Sequence, residues 1–383
     1  MSHSSTPSTP KRASHGALLL RGVGLSLGLV LLLELGLRLT GRPSGRYVAG
    51  LLEGVAYSGG PWQPGYRGTL KSGPVPYRVS VNAHGFRGPE LRQGEQAAAL
   101  RLVAIGDSFT EGFYVDDGET YPAQLQLALD AAGRDVEVIN AARGGGSIDR
   151  FVQIWERCVK PLEPDVVLVT FVSNDLSDLG WFPLERGAPG GLARLASYFV
   201  GRSALGEWLF DWSLGTPLQP PVDSMAGEPD GRYRIAGGTD YRSNAATFMQ
   251  RYGQSDGLVL GQELDALGQR AFAIYDERFR YFAAQCQAAR AKLFLIFVPA
   301  YPEVYVERPP SAGRKHMQAL AQELGLGYLD LTPALRRASL EEGLGALHLA
   351  PLDFHLNPSG QRVVARELAQ ALEDQGFLEP NRK

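Results

Sequence analysis

The sequence predicts an α/β fold with a parallel β-sheet, and two observations support this prediction. Short apolar runs of the kind that form buried parallel strands occur at residues 102–105, 166–171 and 293–298. Stretches with helical periodicity separate these runs, and such a βαβ series joins parallel strands through right-handed crossovers. With 383 residues, of which 44% are hydrophobic, the chain is long enough to bury a substantial core.

The amino terminus predicts a membrane anchor. Residues 1–16 are rich in Ser, Thr and Pro, which is typical of a disordered cytoplasmic leader. Residues 17–39 are mostly Leu, Gly and Val, and as a helix they would span about 35 Å, enough for a bilayer. Because no small-x-small cleavage motif follows, an uncleaved transmembrane signal anchor is preferred to a cleaved signal peptide or a buried core helix. We therefore expect a single-pass, membrane-anchored protein whose large carboxyl-terminal part is extracytoplasmic, in the periplasm of a bacterium.

A linker and one folded domain follow. Residues 40–76 are rich in Gly, Pro, Ser and Tyr and are interpreted as a linker, and the domain is expected to cover residues 77–378. Residues 77–81 alternate in polarity, which predicts a strand, and residues 82–85 predict the turn that ends it. No role is assigned to the segment GFRGPE that comes next.

A serine follows the first buried strand, where the chain must turn into a helix. Gly106 permits this turn, and Ser108 comes two residues later in the motif GDSFTEG. In open α/β folds ligands bind at the carboxyl ends of the strands, so the Ser108 hydroxyl is a candidate nucleophile. The alternative is a helix N-cap, a role that suits both Asp107 and Ser108.

Two further strand ends carry hydrogen-bond donors. The next strand-like run leads into the glycine-rich residues 140–147, whose backbone amides can approach a ligand closely. The run after it ends in Val-Ser-Asn-Asp at residues 172–175. Together with the amide of Ser108, such donors can form an oxyanion hole, whereas a flexible turn and a helix cap are the alternatives.

Residues 178–265 are interpreted as an insertion in the domain. The segment is irregular and rich in Gly and Pro, and it contains Trp181, Trp208 and Trp212. Long insertions of this kind are often lids or binding loops, and the aromatic faces would suit sugar rings as well as acyl chains. A passive surface excursion is the alternative.

The last part of the chain continues the α/β alternation. The predicted elements are a helix over residues 264–292, a strand over 293–298, a helix over 311–324, a strand over 327–330 and a closing helix over 359–373.

The loop before the closing helix carries the groups that a serine nucleophile needs. A serine hydroxyl is a weak nucleophile at neutral pH, so it requires a base, and the base requires a partner that fixes its tautomer. His355 can serve as the base and Asp353 as its partner. The alternative for His355 is a capping or partly buried loop histidine.

Composition and motifs argue against several other function classes. The net charge is −3 and no basic stripe is present, so a nucleic-acid partner is not indicated. The two cysteines, Cys158 and Cys286, form no CxxC motif, and their pairing is left open. The chain has no HExxH, EF-hand, P-loop or dinucleotide-binding pattern, so we expect no cofactor and no metal.

The order of these blocks resembles that of the SGNH/GDSL hydrolase family, whose members are esterases, lipases, deacetylases and some acyltransferases. The resemblance implies that Ser108 is the nucleophile and that Asp353 and His355 complete the catalytic triad. It further implies that Gly145 and Asn174, with the amide of Ser108, form the oxyanion hole.

The resemblance covers about residues 100–178 and 290–376, and it implies a flavodoxin-like three-layer α/β/α fold with a five-stranded parallel sheet of order 2-1-3-4-5. Two positions depart from the family pattern. Val172 stands where the third block usually has glycine, and Asp353 precedes the histidine by two positions rather than the commoner three.

We therefore expect a serine esterase or deacylase that hydrolyses ester-linked acyl groups through an acyl-enzyme, acting on a small-molecule ester or a cell-envelope glycan or lipid. An O-acyltransferase that modifies a polysaccharide would use the same residues. A non-catalytic, anchored carbohydrate-binding or assembly protein is the alternative of another class, and it would be recognised by a broken triad.

Overall fold

The computed structural model of the chain describes residues 15–39, 62, 64–70, 75–179, 203–213, 245, 248–249, 257–343 and 346–379. The strands are β1 (Arg67–Leu70), β2 (Tyr77–Ser80), β3 (Leu100–Ile105), β4 (Val136–Asn140), β5 (Val166–Phe171), β6 (Lys292–Phe297) and β7 (Gly327–Asp330). The α-helices are α1 (His15–Arg38), α2 (Ser108–Glu111), α3 (Tyr121–Ala131), α4 (Ile148–Ile154), α5 (Ala204–Ser213), α6 (Gly257–Leu260), α7 (Ala266–Ala288), α8 (Tyr301–Tyr305), α9 (Ala312–Glu323), α10 (Thr332–Glu342) and α11 (Pro358–Asp374).

The central sheet has five parallel strands in the order β4-β3-β5-β6-β7. Numbered along the domain, this is the predicted order 2-1-3-4-5, which is therefore confirmed. The chain reverses its direction of strand addition at β3, which lies between β4 and β5. A crevice forms at the carboxyl end of such a strand because the two neighbouring connections leave on opposite faces of the sheet. Ser108 follows this strand.

Helices cover both faces of the sheet and give the three layers that the sequence predicts. Helices α3 and α11 pack against each other, and so do α4 and α7, while α7 and α9 contact the sheet at β6 and β7. The strands are near-continuous apolar runs because both faces are covered. All six residues of β5 are buried, and residues 102–105 of β3 are fully buried.

A small second core lies at the start of the domain. Strands β1 and β2 pair in antiparallel register, and Trp62, Leu70 and Tyr77 are buried with them. Part of the predicted linker, residues 40–76, therefore belongs to the folded structure. Its remaining residues lie mostly outside the described part of the chain.

Residues 15–38 of the apolar amino-terminal stretch form helix α1. Within the described residues, no helix has both the length and the apolar character needed to cross a membrane. The prediction of a transmembrane helix over residues 17–39 is thus not supported, and the charged residues Arg21, Glu34 and Arg38 interrupt the apolar length of this helix.

The predicted insertion, residues 178–265, lies largely outside the described residues, and so does Trp181. The described part includes helix α5, which carries Trp208 and Trp212. The two cysteines, Cys158 and Cys286, are buried and unpaired.

Candidate active site

Ser108 lies at the first position of helix α2, directly after the turn that ends β3. The side chain of Asp107 caps this helix by accepting the N–H of Phe109 at 2.9 Å, so Asp107 rather than Ser108 is the N-cap. Gly106 has no space for a side chain, because a Cβ there would lie 2.2 Å from Thr110 Oγ1 and 2.3 Å from Thr170 Oγ1. This tight turn presents the Ser108 hydroxyl at the sheet edge.

The structure brings Ser108, His355 and Asp353 into one hydrogen-bonded chain. His355 Nε2 lies 2.7 Å from Ser108 Oγ, and His355 Nδ1 lies 2.5 Å from Asp353 Oδ1. The same carboxylate oxygen accepts the backbone N–H of His355 at 2.8 Å. An aspartate two positions before the histidine therefore reaches the imidazole, because the loop folds back so that one oxygen binds both the backbone and the ring of His355.

The surroundings of His355 set its ionisation. Burial lowers the pKa of the imidazole, but the carboxylates of Asp353, Asp107 and Glu111 together outweigh burial, with Asp353 contributing most, so the pKa is raised above its ordinary value. The pKa of Asp353 is lowered, because the contact with His355 outweighs the opposing effect of burial. A base must be unprotonated to accept a proton, so His355 can accept the Ser108 proton only above this raised pKa.

Asn174 borders the same space as Ser108 and His355. Its side-chain amide donates to Asp178 at 3.0 Å, and it lies 3.4 Å from Asp107 Oδ2. The preceding Val172 N–H donates to Asp175, a fully buried carboxyl whose pKa burial raises well above its ordinary value. Asp175 thus stabilises the turn at residues 172–175, which presents the Asn174 amide.

Gly145 lies on the loop between β4 and α4, next to β3. It has φ = 70°, a left-handed conformation that favours glycine. The described residues that line the cavity beside Ser108 include Asn174 but not Gly145. The structure therefore groups Ser108, Asp353, His355 and Asn174 around one cavity and places Gly145 on an adjoining loop.

A cavity of about 380 Å³ opens beside the Ser108 hydroxyl. Its lining has a polar part with Asn174 and Asp178, the polar wall, and an apolar and aromatic part, the apolar wall. The residues of the apolar wall are Phe109, Phe248, Val298, Pro299, Tyr301 and Phe354. Such a cavity can take up the hydrocarbon part of an acyl group while its carbonyl carbon meets Ser108.

Sequence reasoning missed Arg87, the arginine of the segment GFRGPE, to which no role was assigned. Its buried guanidinium donates to the backbone carbonyls of Glu111, Gly112 and Val115 at 2.7–2.8 Å. It thereby fixes the chain that leaves the nucleophile turn. In the sequence, Arg87 is marked only by its position between Gly85 and Gly88, and this position does not indicate which groups the guanidinium binds.

Within the described ranges, no group of three or more His, Cys, Asp and Glu side chains is arranged to hold a metal ion.

The chain resembles known proteins over much of its length. A family-wide sequence profile described as "GDSL-like Lipase/Acylhydrolase family" matches residues 104–363, which include all five predicted site residues. An arylesterase of Vibrio mimicus is 30% identical over 78 residues, which are 20% of this chain and 39% of that protein. The chain thus spans well under half the length of this relative.

Solved structures with a similar chain course include an acetyl xylan esterase, AlAXEase, with 16% identity and a TM-score of 0.38. The match covers 71% of this chain and all of the other. A second is LAE5, an α/β hydrolase from the metagenome of Lake Arreo, with 18% identity, a TM-score of 0.39 and coverage of 74% and 98%. A third is Axe2, an acetylxylan esterase of Geobacillus stearothermophilus, with 14% identity, a TM-score of 0.39 and coverage of 72% and 94%.

Proposed function

The chain belongs to the GDSL-like lipase/acylhydrolase family, and we propose that it is a serine esterase that removes ester-linked acyl groups through a covalent acyl-enzyme. The observation that carries this proposal is the hydrogen-bonded chain from Ser108 Oγ through His355 to Asp353. It lies at the reversal point of the sheet, beside a cavity with an apolar wall. The arylesterase relative supports ester hydrolysis as the reaction.

In the first half of the reaction, Ser108 Oγ attacks the ester carbonyl carbon while His355 Nε2 takes the hydroxyl proton. Asp353 accepts the Nδ1–H of His355, which fixes the tautomer in which Nε2 is the acceptor. The tetrahedral intermediate collapses when His355 returns the proton to the leaving alcohol oxygen. Water then attacks the acyl-enzyme by the same proton transfers and releases the carboxylic acid and free Ser108.

The negative oxygen of each tetrahedral intermediate is assigned to the backbone amides of Ser108 and Gly145 and to the side-chain amide of Asn174. One N–H of Asn174 donates to Asp178, and the other faces Asp107 at the long distance of 3.4 Å. The second N–H is available to a substrate oxygen at little cost, because this long contact is weak. Asp178 then keeps the amide oriented.

An ester of a cell-envelope glycan or lipid is the proposed substrate. The cavity supports this proposal, because its apolar wall suits an acyl chain and its polar wall suits a hydroxylated alcohol moiety. We also propose that the domain is extracytoplasmic, on the basis of the apolar stretch at residues 22–33. Protease accessibility in intact spheroplasts tests this location, and full protection of the domain would contradict it.

Labelling with a fluorophosphonate probe tests the proposed nucleophile. The full chain should be labelled once per molecule and should hydrolyse p-nitrophenyl acetate, and Ser108→Ala should abolish both while the protein stays folded. Ser173→Ala and Ser177→Ala are matched controls, because both serines border the same cavity. Labelling that persists in Ser108→Ala and disappears in either control would reject Ser108 as the nucleophile.

A further inference from the structure

We propose that Glu111, Arg143 and Trp62 are positioning residues that hold the glycine loop, residues 144–146, so that the Gly145 N–H reaches the oxyanion. This inference rests on the proposed function, because Gly145 is the oxyanion donor that the loop carries. It extends the active site to Trp62, a residue that precedes the segment matched by the family profile, residues 104–363.

The glycine loop has little rigidity of its own. Three consecutive glycines have wide conformational freedom, and ordering them costs more entropy than ordering other residues. The direction of the Gly145 N–H is set by the peptide plane that joins Gly144 to Gly145. An oxyanion donor is effective only if its direction is set before the reaction, so the loop needs an anchor from outside itself.

Glu111 supplies that anchor. Its Oε2 accepts the Gly144 N–H at 2.5 Å, which fixes the peptide plane between Arg143 and Gly144, directly before the plane that carries the proposed donor. Glu111 lies three residues after Ser108 in helix α2, so one carboxylate connects the nucleophile turn with the glycine loop. The ring of Phe113 also packs against Gly144, because a Cβ on Gly144 would lie 2.4 Å from this ring.

The anchor depends on a cation, because Glu111 is fully buried. A buried carboxylate without a positive partner is costly and tends to take up a proton. Arg143, also buried, places Nη1 3.4 Å from Glu111 Oε1. Its backbone N–H donates to the Gly106 carbonyl at 3.0 Å, which ties the start of the loop to the end of β3.

Trp62 completes the arrangement from the amino-terminal side. Its ring is fully buried, and the Arg143 guanidinium carbon lies 3.7 Å from the ring centroid. This is close cation–π contact, and it is strongest in a desolvated setting such as this one. Trp62 thus holds Arg143 in place beside Glu111 and shields the ion pair from water.

The test begins with Glu111→Gln, which keeps the size of the side chain but removes its charge. The glutamine amide must direct its NH₂ group either at the Gly144 N–H or at Arg143, and both are donors. A misdirected Gly145 N–H should lower kcat by about 10- to 100-fold with KM changed by less than about twofold. Affinity for an alkyl boronic acid, which forms a tetrahedral adduct with the serine, should fall in parallel with kcat.

Glu137→Gln is the matched control. The Glu137 carboxylate also accepts a backbone N–H, from Arg92 at 2.6 Å, and also pairs with a partly buried arginine, Arg101 at 2.9 Å. It lies on β4, toward the opposite end of the strands from Ser108. This variant should lose thermal stability but keep kcat within about twofold of the wild-type value.

The tryptophan provides an independent series that avoids changing a buried charge. Trp62→Ala should lower kcat by about two- to thirtyfold, the range that corresponds to a cation–π contact, and Trp62→Phe should recover most of this loss. Should Glu111→Gln fail to fold, this pair decides the question. Equal kcat for the wild type, Trp62→Ala and Trp62→Phe would overturn the inference.

The remaining outcomes separate the inference from the proposed function. Wild-type kcat and boronate affinity in Glu111→Gln, or an equal loss of kcat in Glu137→Gln, would overturn the positioning role alone. A wild-type chain that is not labelled by the fluorophosphonate, or a Ser108→Ala variant that is, would overturn the proposed function and the positioning role with it.

Discussion

The substitution Asp353→Asn tests the part of the site in which this chain departs from the usual family spacing. Asparagine has the same shape as aspartate, and its amide oxygen in the position of Oδ1 can still accept both hydrogen bonds that Asp353 Oδ1 accepts from His355. The substitution therefore removes the negative charge while disturbing the loop as little as possible.

The expected magnitude follows from the charges in the transition state. His355 is neutral before the reaction and carries the Ser108 proton in the transition state, so a carboxylate beside it stabilises the transition state selectively. Two unit charges about 4 Å apart attract each other by about 4 kcal/mol at an effective dielectric constant of about 20. Since about 1.4 kcal/mol corresponds to a factor of ten, kcat should fall by about three orders of magnitude.

The pH profile provides a second measurement of the same interaction. The acidic limb of kcat/KM reports the pKa of His355 in the free enzyme, because the base must be neutral to act. The Asp353 carboxylate is the main cause that raises this pKa against burial, so Asp353→Asn should move the limb to lower pH. Asp107 and Glu111 still face the ring and limit the movement, while the nearby His348 stays neutral.

Asp276→Asn is the control, because Asp276 contacts His316 Nε2 at 3.0 Å outside the cavity. It should change neither kcat for p-nitrophenyl acetate nor the pH profile. If Asp353→Asn retained kcat within about threefold and left the acidic limb in place, a group other than Asp353 would orient His355 and the charge argument would be wrong.

Three further predictions follow from other parts of the structure. Burial lowers the pKa of His348 to about 3, so between pH 3 and 6.5 the imidazole takes up a proton in the unfolded chain but not in the folded one, and stability rises with pH in that window. In urea titrations at pH 7 and pH 5, the loss of unfolding free energy on acidification should therefore be about 2 kcal/mol smaller in His348→Gln than in the wild type. Equal losses in the two proteins would contradict this prediction. Phe354→Ala should enlarge the cavity at its apolar wall, so kcat/KM for p-nitrophenyl octanoate should rise relative to kcat/KM for p-nitrophenyl acetate. An unchanged ratio of the two values would show that the acyl chain lies elsewhere. A chain without residues 1–42 keeps Trp62 and should retain full kcat, whereas removal of residues 1–63 should reproduce the loss in Trp62→Ala, and equal activity of the two truncations would contradict the role of that ring.

The sequence was sufficient to predict the sheet because each strand is a local pattern. Residues 102–105, 166–171 and 293–298 are apolar without alternation, as expected for strands covered on both faces, and all three lie in the central sheet. The strand order was implied by the family resemblance and is confirmed. The amino-terminal helix was also predicted from its composition, but among the described residues no helix is long and apolar enough to cross a membrane.

Local sequence patterns could not decide which of residues 107 and 108 is the helix N-cap and which is the nucleophile. Both residue types are good N-caps, so the sequence alone leaves the roles interchangeable. The choice depends on backbone geometry, since the carboxylate of Asp107 reaches the Phe109 N–H while Ser108 is the first residue of the helix. The Ser108 hydroxyl then contacts His355 Nε2, although His355 lies 247 residues later in the chain.

The residues that sequence reasoning missed share one physical property, which is that their partners are distant along the chain or are backbone atoms. Arg87 binds carbonyl oxygens, which every residue has, and the carboxylate of Asp117, which lies 30 residues later in the chain. Glu111 lies within the GDSFTEG motif, but its role depends on a glycine loop that starts 33 residues later. Because glycines carry no side chain to fix their own backbone, the support for an oxyanion donor in such a loop must come from elsewhere in the fold, and here Glu111, Arg143 and Trp62 are in contact with it or with one another.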